Sequence, residues 1–367
     1  MDFSWIEKID VSLYHNTQEL DFDNEYFEGM KNRLDSIISN LKDIKASPDF
    51  IDIISDYTGK LIGTIEKYYE GNIIEAQIMI NNLMGDFKDD VIAVTNVNDC
   101  IAFPKVPEGK KNEVQFFRAR IREESSSYDA EEMLHIPFSK RSIVKSGRFS
   151  IPGLPCLYLG NTSYVCWVEL DSPPDHQFDV SAVRLDNSQK VLNLAMSLLW
   201  LQEELAENNY EYESEKFVTL FKLLIISLCT SYRVKEENRN FKSEYILSQL
   251  LMLSCKNMGL DGVLYYSKRI KADKFANPAA INLALFASYE NGKDLSPKIR
   301  DHIEISDSLN YGLFRQLLPQ ANKSKYDLRI NYSSFTDNMH LNNNEKMTVA
   351  YQDTKFCEFD NYLFSNF

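Results

Sequence analysis

The chain has no Gly-x-Gly anywhere in its 367 residues and no P-loop, so neither a dinucleotide fingerprint nor a Walker-type phosphate cradle is present. Its six cysteines, Cys100, Cys156, Cys166, Cys229, Cys255 and Cys357, never come closer than ten positions. That spacing is neither a disulfide framework nor a zinc cluster, and it fits a reducing compartment. The five histidines, His15, His135, His176, His302 and His340, show no metal-ligand spacing, so no metal is expected. Thirteen glycines and eleven prolines are too few for a fibrous or linker-rich chain. The longest apolar stretch, Phe217 to Cys229, is interrupted by Lys222 and is too short to span a bilayer. Met1 to Trp5 carries no basic region followed by an apolar one, so a cytoplasmic location is expected.

Positive charge is scarce too. The net charge is −14, and residues 1–110 hold 21 acidic against 10 basic side chains, a net −11 in the first third. Such a balance argues against a nucleic-acid or anionic-membrane partner. What the chain has is apolar mass, 44% hydrophobic and 12% aromatic residues, enough for two or three cores.

The acidic third reads as helical. Phe27, Met30, Leu34, Ile37, Leu41 and Ile44 recur at spacings of three and four, which predicts one buried helix face. Ser47-Pro48 opens a second helix burying Phe50, Ile54, Tyr57, Leu61, Ile65 and Tyr68, and a third runs from about Asn72 to Leu83. A hinge is expected at Pro104 to Gly109. Thereafter the pattern alternates. Val114 to Arg122 predicts a strand with Phe117, Ala119 and Ile121 on one face and Phe116, Arg118, Arg120 and Arg122 on the other. Further strands are expected at 156–160, 178–185, 190–194, 262–267 and 281–287. A helix capped by Asn161-Thr162 should run to Leu170, and two buried helices cover 215–232 and 241–258. Residues 320–347, rich in Asn, Ser and Lys, read as a surface excursion. Strands in groups separated by uneven helices predict an α+β fold, with a helical domain over 1–110 and a second domain over 111–367.

The middle of the chain carries an ordered set of short motifs. These are Phe117-Arg118-Ala119-Arg120-Ile121, His135-Ile136-Pro137-Phe138, Gly147-Arg148-Phe149-Ser150-Ile151-Pro152-Gly153 continuing through Tyr158 to Gly160, Glu169, and Gly262 to Ser267. Over roughly residues 115–315 this combination resembles the RES domain, a family named for its Arg, Glu and Ser. The resemblance implies an ADP-ribosyltransferase-like fold and a toxin or antiphage defence effector that splits the nicotinamide–ribose bond of NAD. Water or phosphate would be the acceptor, NAD a substrate, and no cofactor is implied. Some relatives instead transfer ADP-ribose to protein. The N-terminal helices resemble, more weakly, a HEPN-like domain. Two departures stand out: Phe149-Ser150 where the family favours Trp-Asn, and Cys166-Trp167 where small residues are usual.

By that resemblance Arg118, Glu169 and Ser267 are the catalytic set, with Arg148, Tyr158 and Arg120 binding substrate. The residue chemistry is compatible. A guanidinium binds phosphate oxygens bidentately. A carboxylate stabilises the cation that develops on ribose. Nicotinamide departs neutral, so the second carboxyl of an ordinary glycosidase is not needed. An unaided serine is a poor nucleophile, and with no His–Asp partner evident Ser267 is assigned to hydrogen bonding with ribose or nicotinamide. Read alone, each residue also has a plain structural account. Arg120 and Arg122 suit solvated strand charges, Arg148 a surface arginine, Tyr158 a core tyrosine, Glu169 a solvated helix residue and Ser267 a turn. A non-catalytic interaction protein with an acidic helical surface therefore stays open. So do an antitoxin or regulatory protein as partner, and a second copy of the chain. The acidic helices hold one arginine, Arg33, after one histidine, His15, the wrong order for an Arg–His ribonuclease.

Overall fold

The computed structural model describes residues 3–14, 18–19, 26–103, 114–123, 127–207, 213–234, 239–269, 280–317, 340–342 and 348–367. The architecture is α+β, with a helical N-terminal region and a mixed sheet. Two compact units are interleaved along the chain. The first comprises Met1–Thr95, Ser146–Ser150 and Val191–Val263, and the second Asn96–Lys145, Ile151–Lys190 and Leu264–Phe367. The hinge expected at 104–109 lies outside the described residues, as does the 320–347 stretch except for the short strand His340–Asn342.

In the first unit the apolar stripe read from the sequence folds as the helix Tyr26–Asp43, burying Met30, Leu34, Ile37 and Leu41. Pro48 opens the helix Pro48–Tyr69, and the Asn72 side chain caps Ile73–Gly85 by accepting from Glu75 N–H at 3.3 Å. These helices do not close a core by themselves. Ser214–Cys229 and Ile246–Asn257 pack with them: Phe50 meets the Phe217 ring at 5.4 Å between centroids. Gln77 donates to Leu250 O at 3.1 Å and to Ser254 Oγ at 2.9 Å. The Phe3 ring packs tilted on Phe217 at 4.0 Å between centroids, so the first residues described belong to the same core. The helix expected over 241–258 is a short 3-10 turn, Ser243–Tyr245, followed by Ile246–Asn257. A further helix, Leu198–Glu207, lies where none was expected.

The second unit is built on antiparallel strands in the order Ile303–Ile305, Phe178–Leu185, Gln115–Ile121, Cys156–Gly160, Ile281–Phe286. Gly262–Tyr266 follows as the next neighbour of Ile281–Phe286. Phe117 and Ala119 enter an apolar layer with Phe178, Val180, Ala182, Tyr311, Phe314, Phe359, Leu363 and Phe364. The last helix, Lys355–Ser365, supplies Phe359, Leu363 and Phe364 and covers one face of the sheet. No helix among the described residues is long and apolar enough to cross a membrane.

Candidate functional site

The chemistry gathers around a short helix, Ser163–Glu169, that follows the strand Cys156–Gly160 directly. Thr162 accepts from Val165 N–H at 3.1 Å, the local cap expected from the sequence. The turn between strand and helix leaves no room for a side chain at Gly160, where a Cβ would stand 2.8 Å from Cys166 Sγ. Cys166 in turn points its thiol at Phe117 O, 3.3 Å away, which fixes the roll of the helix over the sheet. Burial pushes that thiol up to about 12, so it is no thiolate nucleophile at neutral pH.

Glu169 ends the helix. Its Oε1 accepts from Ser267 Oγ at 2.6 Å and from Asn282 Nδ2 at 2.6 Å. Its Oε2 lies 3.6 Å from the Arg269 Nε, and Arg269 also approaches Asp171 Oδ1 at 3.6 Å. The Glu169 side chain is one-third exposed, 34%, while Ser267 and Asn282 are buried. One oxygen is thus held by two neutral donors and the other faces a cation. Ser267 was assigned to ribose or nicotinamide; here its proton goes to Glu169, and its oxygen accepts from Arg269 N–H at 3.3 Å. The bond Ser267 N–H to Ala280 O, 2.8 Å, fixes its backbone.

Arg118 is placed differently. It donates through Nε to Met133 O at 3.2 Å and through NH1 to Tyr158 O at 3.1 Å. Burial, then the neighbouring Arg120, lowers its guanidinium to about 10, still charged at neutral pH. The register pairs Phe117 with Gly160 and Gly160 with Asn282, so Asn282 shares the Phe117 side of the sheet, and Arg118 alternates to the other. Among the described residues no bond joins Arg118 to Glu169, Ser267 or Asn282. Arg120 donates to Leu134 O at 2.9 Å and lies over the Tyr128 ring, 5.8 Å from its centre. Arg122 makes a buried pair with Asp179, 2.9 Å, so it is not a solvated strand charge. Tyr158 is half-buried, opposite Ala284. Arg148 belongs to the first unit, buried at 7% exposure, with its NH2 near Thr230 Oγ1 at 3.5 Å and Ser231 Oγ at 3.4 Å. His135, left outside the site, accepts from Ser296 N–H through Nε2 at 2.9 Å.

Asn282 and Arg269 were not singled out from the sequence. Arg269 carried a signal, two residues past the motif serine; Asn282, inside an apolar strand run, is an amide where only packing would otherwise be needed. No group of three or more His, Cys, Asp or Glu among the described residues could hold a metal ion.

No family model matches the chain. The candidate toxin YopC of Bacillus subtilis (strain 168) is 31% identical over 235 residues. That stretch is 61% of this chain and 51% of YopC, so the chain spans about half the length of the curated relative it matches. Among solved structures, the M. tuberculosis MbcT–MbcA toxin–antitoxin complex is 12% identical, covering 57% of this chain and 90% of that one at a TM-score of 0.27. An overlap that loose places no residue of this chain.

Proposed function

We propose that this chain is a toxin that consumes NAD by cleaving its nicotinamide–ribose bond. The observation that carries the reading is the double support of Glu169 Oε1 by Ser267 and Asn282, with Arg269 beside Oε2. Two neutral donors fix the carboxylate without cancelling its charge, which suits a group that must face a developing cation rather than move a proton. The similarity to YopC and the RES-like order of motifs support the same reading.

In this mechanism the bond between the ribose C1′ and the pyridinium nitrogen breaks, and its electron pair stays on nitrogen, so nicotinamide leaves neutral. The oxocarbenium-like cation faces Glu169 and is captured by water or phosphate, which gives up a proton to solvent. Arg118 and Arg269, both of the second unit, are the cations proposed to meet the substrate's pyrophosphate. The acidic helical region acts as a contact or control surface for an antitoxin or a second copy. Purified protein incubated with NAD, with free nicotinamide quantified, tests the reading. Release that Glu169→Gln abolishes supports it, and no release from folded protein removes it. Added phosphate, or a search for labelled protein, then sorts the acceptor.

A further inference from the structure

The helix that ends in Glu169 is seven residues long, about two turns and roughly 10 Å. A helix that short does not hold itself in water, so its direction is set by what grips it. Its C-terminal end meets Ser267 and Asn282 through Glu169. Its N-terminal end is gripped by the last helix. Asp360, 8% exposed, accepts from Ser163 N–H through Oδ1 at 3.2 Å and through Oδ2 at 3.4 Å. The hydroxyl of the fully buried Tyr351 donates to Asp360 Oδ2 at 2.7 Å and fixes the carboxyl from behind. Aromatic contacts complete the grip: Phe356 packs on Tyr164 at 5.2 Å and on Trp167 at 5.6 Å between ring centres.

Ser163 N–H is one of the donors a helix leaves without an internal partner, and Val165 N–H is another, taken by Thr162. A carboxyl oxygen there accepts a bond that no residue of the helix supplies. A carboxyl held away from water with one backbone donor and one hydroxyl is an expensive way to cover a sheet, since an apolar side chain would do that as well. We infer that Asp360 is a positioning residue, anchoring the start of the Ser163–Glu169 helix so that Glu169 at its far end is held in register with Ser267 and Asn282. The inference rests on the reading of Glu169 as the reacting carboxylate.

Two measurements on the full chain test it: hydrogen exchange of peptides covering residues 161–170, and steady-state nicotinamide release. In Asp360→Ala, exchange across the helix should rise about tenfold while the sheet keeps its protection. There kcat should fall about 10- to 100-fold with KM within about twofold, as displacement of a reacting group predicts. Asp360→Asn, whose amide oxygen still accepts from Ser163 N–H, should restore both. If Asp360→Ala folds poorly, Tyr351→Phe removes only the supporting hydroxyl and should show the same pattern at smaller amplitude. Unchanged helix exchange in a folded Asp360→Ala chain overturns the inference, and so does an Asn variant as impaired as the Ala one. A parent chain that releases no nicotinamide removes the NAD reading alone; the exchange arm still decides the anchor.

Discussion

Ser267 gives its hydroxyl proton to Glu169 across 2.6 Å, although 98 residues of chain separate them. On the proposed reading, the serine serves the substrate through the carboxylate it orients. Glu169→Gln, which removes the charge and keeps the shape, should lower nicotinamide release by about 10²–10³-fold with the fold intact. Ser267→Ala and Asn282→Ala should each lower kcat by roughly tenfold, and the double variant by less than the product, because both donors hold one oxygen. Additive losses in steady-state kinetics would show that the two act separately.

Arg118 and Arg122 should separate into two kinds of effect. Arg122 pairs at 2.9 Å with the fully buried Asp179, so Arg122→Ala leaves a carboxylate in the core with Asn310, at 2.7 Å, as its remaining side-chain donor among the described residues. A loss of about 3 kcal/mol in urea unfolding is expected. Arg118 bonds only main-chain carbonyls among the described residues, so its charge is not neutralised by a carboxylate. Arg118→Ala should raise the KM for NAD more than Arg122→Ala does in its folded fraction. Equal KM values for the two would take Arg118 out of substrate binding.

Stability should respond to pH through Asp360. Burial, outweighing the bonds from Ser163 and Tyr351, pushes its carboxyl from the ordinary 3.8 up to about 7. The other titratable groups facing it are Tyr351, Cys166 and Tyr311, and burial raises all three. The folded state then holds a proton that the unfolded state has lost. Asp360's contribution is full below pH 4 and disappears as pH rises through 7. Asp360→Asn carries no such charge, so thermal melts should show the variant gaining on the parent between pH 5 and pH 8. A constant difference would mean the carboxyl titrates normally.

His135 should remain neutral where a free imidazole is half protonated. Its Nε2 accepts from Ser296 N–H, so Nδ1 carries the proton and donates to Ile136 O at 2.8 Å. Burial lowers its pKa below 6.5, so the unfolded chain binds the proton first and stability falls as pH drops below that value. Nitrogen NMR of labelled histidine at pH 6.5 should report one neutral, Nδ1-protonated ring for this residue. An averaged or doubly protonated signal would contradict the assignment.

Removing residues 1–95 should expose Phe217 and Phe221, both fully buried in the first unit beside Phe3, Trp5 and Phe50. Burial of each such ring is worth about 1.5–3 kcal/mol, so the shortened chain should aggregate or bind hydrophobic dye. A soluble, cooperatively melting product would show that the later segments need no helical cover.

The sequence by itself determined what is local. Spacing of three and four fixed the helix face of Met30, Leu34, Ile37 and Leu41, because a helix has only one way to line up such residues. Pro48 and Thr162 marked helix starts through their own backbone chemistry. Alternation placed Phe117 and Ala119 on one side of their strand and Arg118 on the other, as the register bears out. Only the tertiary structure decided what Glu169 touches. Its partners Ser267 and Asn282 stand 98 and 113 positions away, and no periodicity links residues so far apart. The same holds for the last helix. Its Asp360 would read as a solvated acid in an aromatic-rich tail, until folding seats it 197 residues back on Ser163. Nor could spacing show that the N-terminal helices share a core with Phe217 and Leu250, since an amphipathic stripe says that a face is buried but not against what.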